Sequence, residues 1–299
     1  MKRILLLFGL LLAATNAFAW GEAGHLMSNE AATLSLPTDM PAFFYRAFPR
    51  LIWLGYQPDR LRGPMIDTVN LPDHFLNYEM VAGLDLPPDR YKYLALMDSS
   101  GRRAHLGVSN TEPGFLPWRI AEMADLLTAQ FRQWRSSQRG SSERRAIEGV
   151  IVDTAGVLGH FVADSANPLH DTVNYNGWVT PNPNGYVNDC LIHARFESDF
   201  VSHAVSTSDI TPKVAAPVLR TDYFATALHF IKSSNALVER VYQLDKQSAF
   251  SEFGAISPEG KSFVTDRLAA GASLLRDLWW SAWKNSATRR AGSQSARAH

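Results

Sequence analysis

The sequence predicts a single, mostly α-helical domain. Three observations support this fold class: apolar residues recur at helical spacing over long stretches, Ser and Pro residues mark helix starts, and no stretch alternates apolar and polar residues as a half-buried strand does. The 299-residue chain is 46% hydrophobic, which is enough for one large core. We expect the domain to cover residues 20–284 and a disordered tail to follow over 285–299.

The first nineteen residues have the features of an export signal. Lys2 and Arg3 precede an apolar run over residues 4–14, and an A-x-A cleavage motif ends just before Trp20. The run is shorter than the roughly 20 residues that a membrane-spanning helix needs. We therefore expect a secreted or periplasmic protein without a transmembrane anchor. A retained membrane anchor is the alternative.

The long helices are predicted from their own patterns. Pro117 occupies a first-turn position before an apolar stripe that extends to residue 134. A Ser cap and a charged first turn begin the strongly apolar helix over 142–164, which we expect to be central. Two segments rich in Gly, Pro and Asn, 56–114 and 171–189, are predicted to be long loops. The other predicted helices cover 22–35, 189–206, 222–244 and 258–284.

Charge and cysteine content limit the functional classes. Loss of Lys2 and Arg3 with the signal would reduce the 29 basic residues to 27, against 29 acidic residues, for a charge of about −2. This charge gives no support to a wide basic surface for nucleic acid, although a few cations or a metal could bind it locally. Cys190 is the only cysteine, so no internal disulfide can form. We expect a buried, inert thiol and stability from packing or bound metal.

Two pairs of His and carboxylate residues have the spacing of metal ligands. His160 and Asp164 lie four residues apart on the predicted central helix, and His193 and Glu197 repeat this spacing on another helix. His170 follows soon after the central helix. Imidazole and carboxylate donors without thiolate suit zinc in a hydrolytic site. Taken singly, each pair could instead be a surface hydrogen bond or a satisfied core histidine.

The expected mature terminus offers further donors. Cleavage before Trp20 would create a free α-amino group, and this amine can chelate a metal ion together with the carbonyl of the same residue. His25 follows within the sequence WGEAGH and would complete the site. The alternative for this stretch is an amphipathic helix start with a chance histidine.

Five motifs then occur in a characteristic order. They are W-G-x-x-G-H from Trp20, PDRLR at 58–62, HFLNYE at 74–79, H-x3-D-x5-H at 160–170 and H-x3-E at 193–197. Together they resemble the superfamily of zinc-dependent phospholipases C and fungal and plant single-strand nucleases. The resemblance implies an all-helical domain with long loops around a cleft that holds three zinc ions.

The resemblance also implies which residues hold the metal. All nine offer nitrogen or oxygen donors. One zinc ion would be held by Asp59, His74 and His160, and Asp164 would bridge from it to a second ion held by Trp20 and His25. The third ion would be held by His170, His193 and Glu197.

The activity implied by the resemblance is hydrolysis of a phosphodiester by metal-activated water. Asp59 and Asp164 would act as metal-holding catalytic residues, and Arg62 would contact the phosphate or the transition state. A surface salt bridge is the alternative for Arg62. Phe75 resembles the aromatic on which the nucleases stack a base, and Asn77 stands where they usually have an Asp that reads the base edge.

These motif spacings favour a nuclease that acts on single-stranded nucleic acid. Three departures leave other functions open: Glu197 resembles the phospholipase branch, the disulfides of the nucleases cannot form, and the near-neutral charge also suits a zwitterionic head group. The alternatives are a phospholipase C acting on phospholipid head groups and a secreted metal- or ligand-binding protein without activity. Phe75 could also be a core aromatic. No stable protein partner is implied.

Overall fold

Helices account for 67% of this computed structural model, which describes residues 20–288 except 108, 110, 180 and 252. The described residues form no β-sheet, only an isolated bridge between Leu76 and Gly114. The predicted all-α, single-domain class is confirmed. The proposed signal over 1–19 and residues 289–299 of the proposed tail lie outside the described residues.

The α-helices are numbered α1 to α16 in chain order. Short 3-10 turns at Leu71–His74, Pro168–His170 and Thr211–Lys213 and a π-helical turn at Arg195–Asp199 lie between them. The helices are Gly21–Leu34 (α1), Ala42–Arg46 (α2), Phe48–Leu54 (α3), Gln57–Arg60 (α4), Pro64–Asn70 (α5), Tyr78–Val81 (α6), Arg90–Ser99 (α7), Arg102–Leu106 (α8), Leu116–Ser136 (α9), Ser142–Ala166 (α10), Ile192–Ala194 (α11), Phe200–Ala204 (α12), Thr207–Ile210 (α13), Tyr223–Asn235 (α14), Val238–Lys246 (α15) and Pro258–Asn285 (α16).

Helix α10 lies at the centre of the molecule, as predicted. The side chain of Ser141 caps it by accepting a hydrogen bond from the backbone N–H of Arg144. Every residue from Leu158 to Ala166 is buried, and the helix packs against α1, α3, α9 and α16. It is the one helix among the described residues long and apolar enough to cross a bilayer, but 61% of its apolar window is buried, which is typical of a core helix.

Two glycines allow the neighbouring helices to approach α10 closely. A Cβ atom on Gly159 would lie 2.0 Å from Oδ1 of Asn29 in α1, and one on Gly156 would lie 2.5 Å from Cβ of Leu54 in α3. Asn29 also donates its Nδ2 to the carbonyl of Gly156 at 3.1 Å. Helices α1, α3 and α10 are therefore held together one residue before His160.

The predicted helices agree with α1, α9, α10 and α16 to within a few residues. The single helix predicted over 222–244 is wrong, because Ala236 and Leu237 interrupt it between α14 and α15. The long loop predicted over 56–114 is also wrong. It contains α4 to α8, which have four to ten residues each and are too short to show a helical period in the sequence.

The chain over 171–189 contains no helix among its described residues, as expected. The helix predicted over 189–206 is observed as α11, the π-helical turn and α12. The prediction of a buried Cys190 thiol is wrong. Cys190 is exposed, in an irregular turn before α11, and its backbone has a left-handed φ of 58°.

Candidate metal centre

Eight histidine and carboxylate side chains converge near the C-terminal end of α10. They come from seven separate elements, and their exposures lie between 0 and 7%. Three groups of these side chains are arranged so that their donor atoms lie within 4.8 Å of one another. The groups, here called clusters one to three, are Asp59, His74 and His160; His25, His160 and Asp164; and His170, His193 and Glu197.

Cluster one joins α4, the 3-10 turn at 71–74 and α10. Nε2 of His160 lies 3.0 Å from Nδ1 of His74 and 3.7 Å from Oδ1 of Asp59. Two ring nitrogens at this distance, facing a carboxylate, present lone pairs to a common point. The three residues that the resemblance assigns to the first ion are therefore brought together.

Cluster two lies beside cluster one and shares His160 with it. The rings of His25 and His160 are stacked, with centroids 4.0 Å apart. Asp164 places Oδ1 at 3.5 Å from Nε2 of His25, and Oδ2 at 3.0 Å from Nδ1 of His74. Asp164 thus contacts histidines of both clusters, which is the position expected of a bridging residue.

Cluster three is built on α11 and the π-helical turn that follows it. Nε2 of His193 lies 2.8 Å from Oε2 of Glu197 and 3.3 Å from Nε2 of His170. Nδ2 of Asn167 donates to the same Glu197 oxygen at 2.9 Å and fixes the carboxylate. The sequence did not indicate this role for Asn167, because its only local signal is that of a cap for the 3-10 turn at 168–170.

Main-chain carbonyls fix the ring orientation of three histidines. A carbonyl oxygen can only accept, so each Nδ1 carries the proton and each Nε2 keeps its lone pair for the cluster. In these hydrogen bonds, 2.8 to 3.0 Å long, Nδ1 of His160 donates to the carbonyl of Gly55, Nδ1 of His170 to that of His74 and Nδ1 of His193 to that of Tyr175.

The clusters carry buried polar atoms that the described part of the chain does not satisfy. Oδ2 of Asp59, Oδ1 of Asp164 and Oε1 of Glu197 are buried without a hydrogen-bond partner there. Burial raises the pKa of Asp59 to about 7 and that of Glu197 to about 8, and it lowers the pKa of His193 to about 4. Neutral imidazoles and uncompensated carboxylates are the donor set that a divalent cation stabilises. The three clusters could therefore hold metal ions.

Trp20 is anchored at the start of α1. Its side chain is fully buried, its Nε1 donates to the carbonyl of Ala163 at 2.7 Å, and its ring lies 5.2 Å from that of Phe196. Ala163 precedes Asp164 in α10, so the indole holds the expected first residue of the mature chain next to cluster two.

A cavity of about 530 Å³ opens beside the clusters. Asp59, His74, His170 and His193 line it. Its other lining residues are Arg62, Leu71, Phe75, Asn77, Met80, Glu112, Leu169, Val173, Tyr175 and Val179. Apart from Phe75, the apolar residues of this wall were not indicated by the sequence, because they belong to short helical turns and loops without a periodic pattern.

The three predicted substrate-contact residues all line this cavity. Phe75 is partly exposed, so it is not simply a core aromatic. Nδ2 of Asn77 donates to the carbonyl of Glu112 at 2.8 Å, which fixes its side-chain amide. Arg62 is about one-third exposed and its Nε lies 3.3 Å from the carboxylate of Asp67, so it faces the cavity and also forms a surface ion pair.

A scan against protein-family models found no matching family, and searches of curated proteins and of solved structures found no significant match.

Proposed function

We propose that this protein hydrolyses phosphodiester bonds with bound zinc, three ions in the full enzyme, and that it acts as a secreted or periplasmic protein. The observation that supports the proposal is the set of buried carboxylate oxygens that have no hydrogen-bond partner among the described residues, in clusters with members that line a 530 Å³ cavity. A closed structural site would not need such a cavity. Bound zinc would supply Lewis acidity toward a phosphoryl oxygen and toward water.

The chain itself supplies orientation and charge. The carbonyls behind His160, His170 and His193 keep each Nε2 directed into its cluster, so the donor geometry is set before a substrate arrives. Arg62 lines the cavity beside Asp59 and can donate two parallel hydrogen bonds to non-bridging phosphate oxygens. Without a bound phosphate the guanidinium of Arg62 pairs with the carboxylate of Asp67, and a substrate phosphate would compete with Asp67 for it.

Two substrate classes have specific support. Single-stranded nucleic acid is supported by Phe75, which is partly exposed in the cavity wall, and by Asn77, whose fixed amide lines the same wall. Phospholipid is supported by the apolar character of the rest of the wall. The charge of the cavity also favours phospholipid over a polyanion. Arg62 is the only Lys or Arg among the described residues that line the cavity, and Glu112 adds a carboxylate there.

The proposal is tested by measuring metal content and turnover on the same preparation. Protein that begins at Trp20 is analysed for zinc and assayed on bis(p-nitrophenyl) phosphate, single-stranded DNA, RNA and phosphatidylcholine, with and without chelator. We expect hydrolysis of the soluble diester that is lost on chelation and restored by zinc. Retained zinc without turnover of any of these substrates would instead identify a metal-binding protein.

A further inference from the structure

Helix α5 and the residues beside it form an unusually apolar exposed surface. None of the residues of α5, all of which are described, is buried. Met65 is 82% exposed and Val69 is 65% exposed, and both belong to one helix face together with Ile66. We call this region the 61–71 surface; its exposed apolar residues are Leu61, Met65, Ile66, Val69 and Leu71.

The 61–71 surface borders the cavity beside the metal clusters. Leu71, at one end of it, and Arg62, near the other, both line that cavity. The apolar residues of the surface therefore continue into the apolar residues of the cavity wall, such as Phe75 and Met80. Anything that covers this surface also meets the entrance to the candidate site.

The charge of the surface separates two kinds of occupant. Arg62 and Asp67 are its only charged residues, and they pair with each other. A nucleic acid backbone is bound chiefly through cations that neutralise its phosphates, and this surface provides no excess of them. An exposed apolar helix face can instead be buried at the boundary between lipid head groups and acyl chains, where binding strength increases with the buried apolar area and needs no cations when the lipid is zwitterionic.

We propose that the 61–71 surface docks the protein on a zwitterionic phospholipid surface and directs a lipid head group into the cavity. This inference rests on the proposed phosphodiesterase function and selects phospholipid as its substrate class. A second copy or a protein partner on the same surface would obstruct the cavity, whereas a lipid surface would deliver substrate to it. Because the surface has no net charge, binding depends on apolar insertion and changes little with salt.

The test compares two double variants with the unaltered protein. Met65→Ser with Val69→Ser removes the two most exposed apolar side chains of the surface. Leu34→Ser with Val150→Ser is the matched control, because both residues are similarly exposed but lie nine or ten positions along their helices from His25 and His160, more than about 13 Å away. Each protein is measured for sedimentation with phosphatidylcholine vesicles at two salt concentrations and for hydrolysis of bis(p-nitrophenyl) phosphate.

We expect the Met65/Val69 variant to lose vesicle affinity by about tenfold or more, since two exposed apolar side chains no longer insert. Its turnover of the soluble diester and its thermal midpoint should stay unchanged, and the control should match the unaltered protein throughout. Equal vesicle binding by both variants would overturn the inference. Single-stranded DNA binding and sedimentation velocity are measured on the same proteins, and a loss of DNA binding or of a dimer that is confined to the Met65/Val69 variant would also overturn it. Failure of the proposed function would look different, since none of the proteins would hydrolyse the soluble diester.

Discussion

Asp164 connects clusters one and two, together with the shared His160. It is fully buried, and one carboxylate oxygen contacts His25 while the other contacts His74. Asp164→Asn preserves shape but removes the charge and turns one ligand atom into a donor that faces imidazole nitrogens. We expect loss of zinc from both clusters and a fall in hydrolysis of more than about a hundredfold. Metal analysis and turnover check this; Asp85→Asn, an exposed residue, is the control.

Trp20 combines a buried side chain with a proposed main-chain ligand, and two changes separate these roles. One extra Ala before Trp20 converts the amine to an amide, a poor donor at neutral pH. We expect this protein to lose one zinc ion of three and most of its activity while staying helical by circular dichroism. Trp20→Ala should keep its zinc but lose about 3–5 kcal/mol of unfolding free energy, because a fully buried indole is removed. Three zinc ions and full turnover in the extended protein would show that the terminus is not a ligand.

Phe75 tests the nucleic acid candidate directly. If a base stacks on its partly exposed ring, Phe75→Ala should weaken binding of single-stranded DNA by about 1–3 kcal/mol. Fluorescence anisotropy with a labelled oligonucleotide measures this. Phe48→Ala, a partly exposed aromatic on α3 that does not line the cavity, is the control. Unchanged affinity in a folded Phe75 variant would remove the main support for a nuclease.

At the scale of elements, the separation between α1 and α10 determines whether His25 reaches cluster two. A methyl group on Gly159 would overlap the side chain of Asn29 in α1, so either the two helices move apart or Asn29 turns away and loses its hydrogen bonds to the carbonyls of Leu51 and Gly156. We expect Gly159→Ala to lower stability by about 1–3 kcal/mol and to weaken zinc binding at cluster two. A Cβ atom on Gly149 of the same helix meets no atom of the described chain within 4 Å, so Gly149→Ala should instead stabilise the protein by about 0.5–1 kcal/mol. Urea unfolding and zinc titration of both variants compare these effects. Equal stability of the two variants would contradict the role given to Gly159.

How much of this structure could be predicted depends on the length of each element. Helices α9, α10 and α16 have caps or first-turn prolines and many turns, so local signals were sufficient. The break at Ala236 has no Gly or Pro to mark it, so the sequence gives no local signal for it. The i, i+4 pairs of clusters two and three follow from helical spacing, but Asp59 lies 101 residues and His74 lies 86 residues before His160. Only the ordered motifs associated them with it.

At the scale of the whole molecule, the buried carboxylates make stability depend on pH and on metal. Without metal, the pKa of Asp59 is about 7 and that of Glu197 about 8, against ordinary values of 3.8 and 4.5. The folded state then binds more protons than the unfolded chain, so stability falls as pH rises toward 8. Histidines whose pKa burial lowers act in the opposite direction, because at pH 6.5 about half of each such side chain is protonated in the unfolded chain but not in the folded one; three histidines contribute in this way, less than the carboxylates do.

We therefore expect the chelated protein to lose about 1 kcal/mol of unfolding free energy between pH 6.5 and 8. The zinc-loaded protein should not lose stability over this range, because a cation favours the ionised carboxylates. Urea unfolding at both pH values, with and without chelator, measures the difference. A chelated protein that is more stable at pH 8 than at pH 6.5 would contradict the raised pKa values of the buried carboxyl groups of Asp59 and Glu197.

His160 contributes to two clusters with a single available nitrogen, since its Nδ1 is committed to the carbonyl of Gly55. One lone pair can serve only one cation at a time. If both clusters hold metal, they would therefore not be independent sites: an ion in cluster one that took Nε2 would leave an ion in cluster two with His25, Asp164 and main-chain donors, whereas an ion in cluster two that took it would leave cluster one with Asp59 and His74. In the proposed enzyme, loading would follow an order, with a high-affinity step completed before a weaker one, and a metal-poor environment would hold the protein in an intermediate state of assembly.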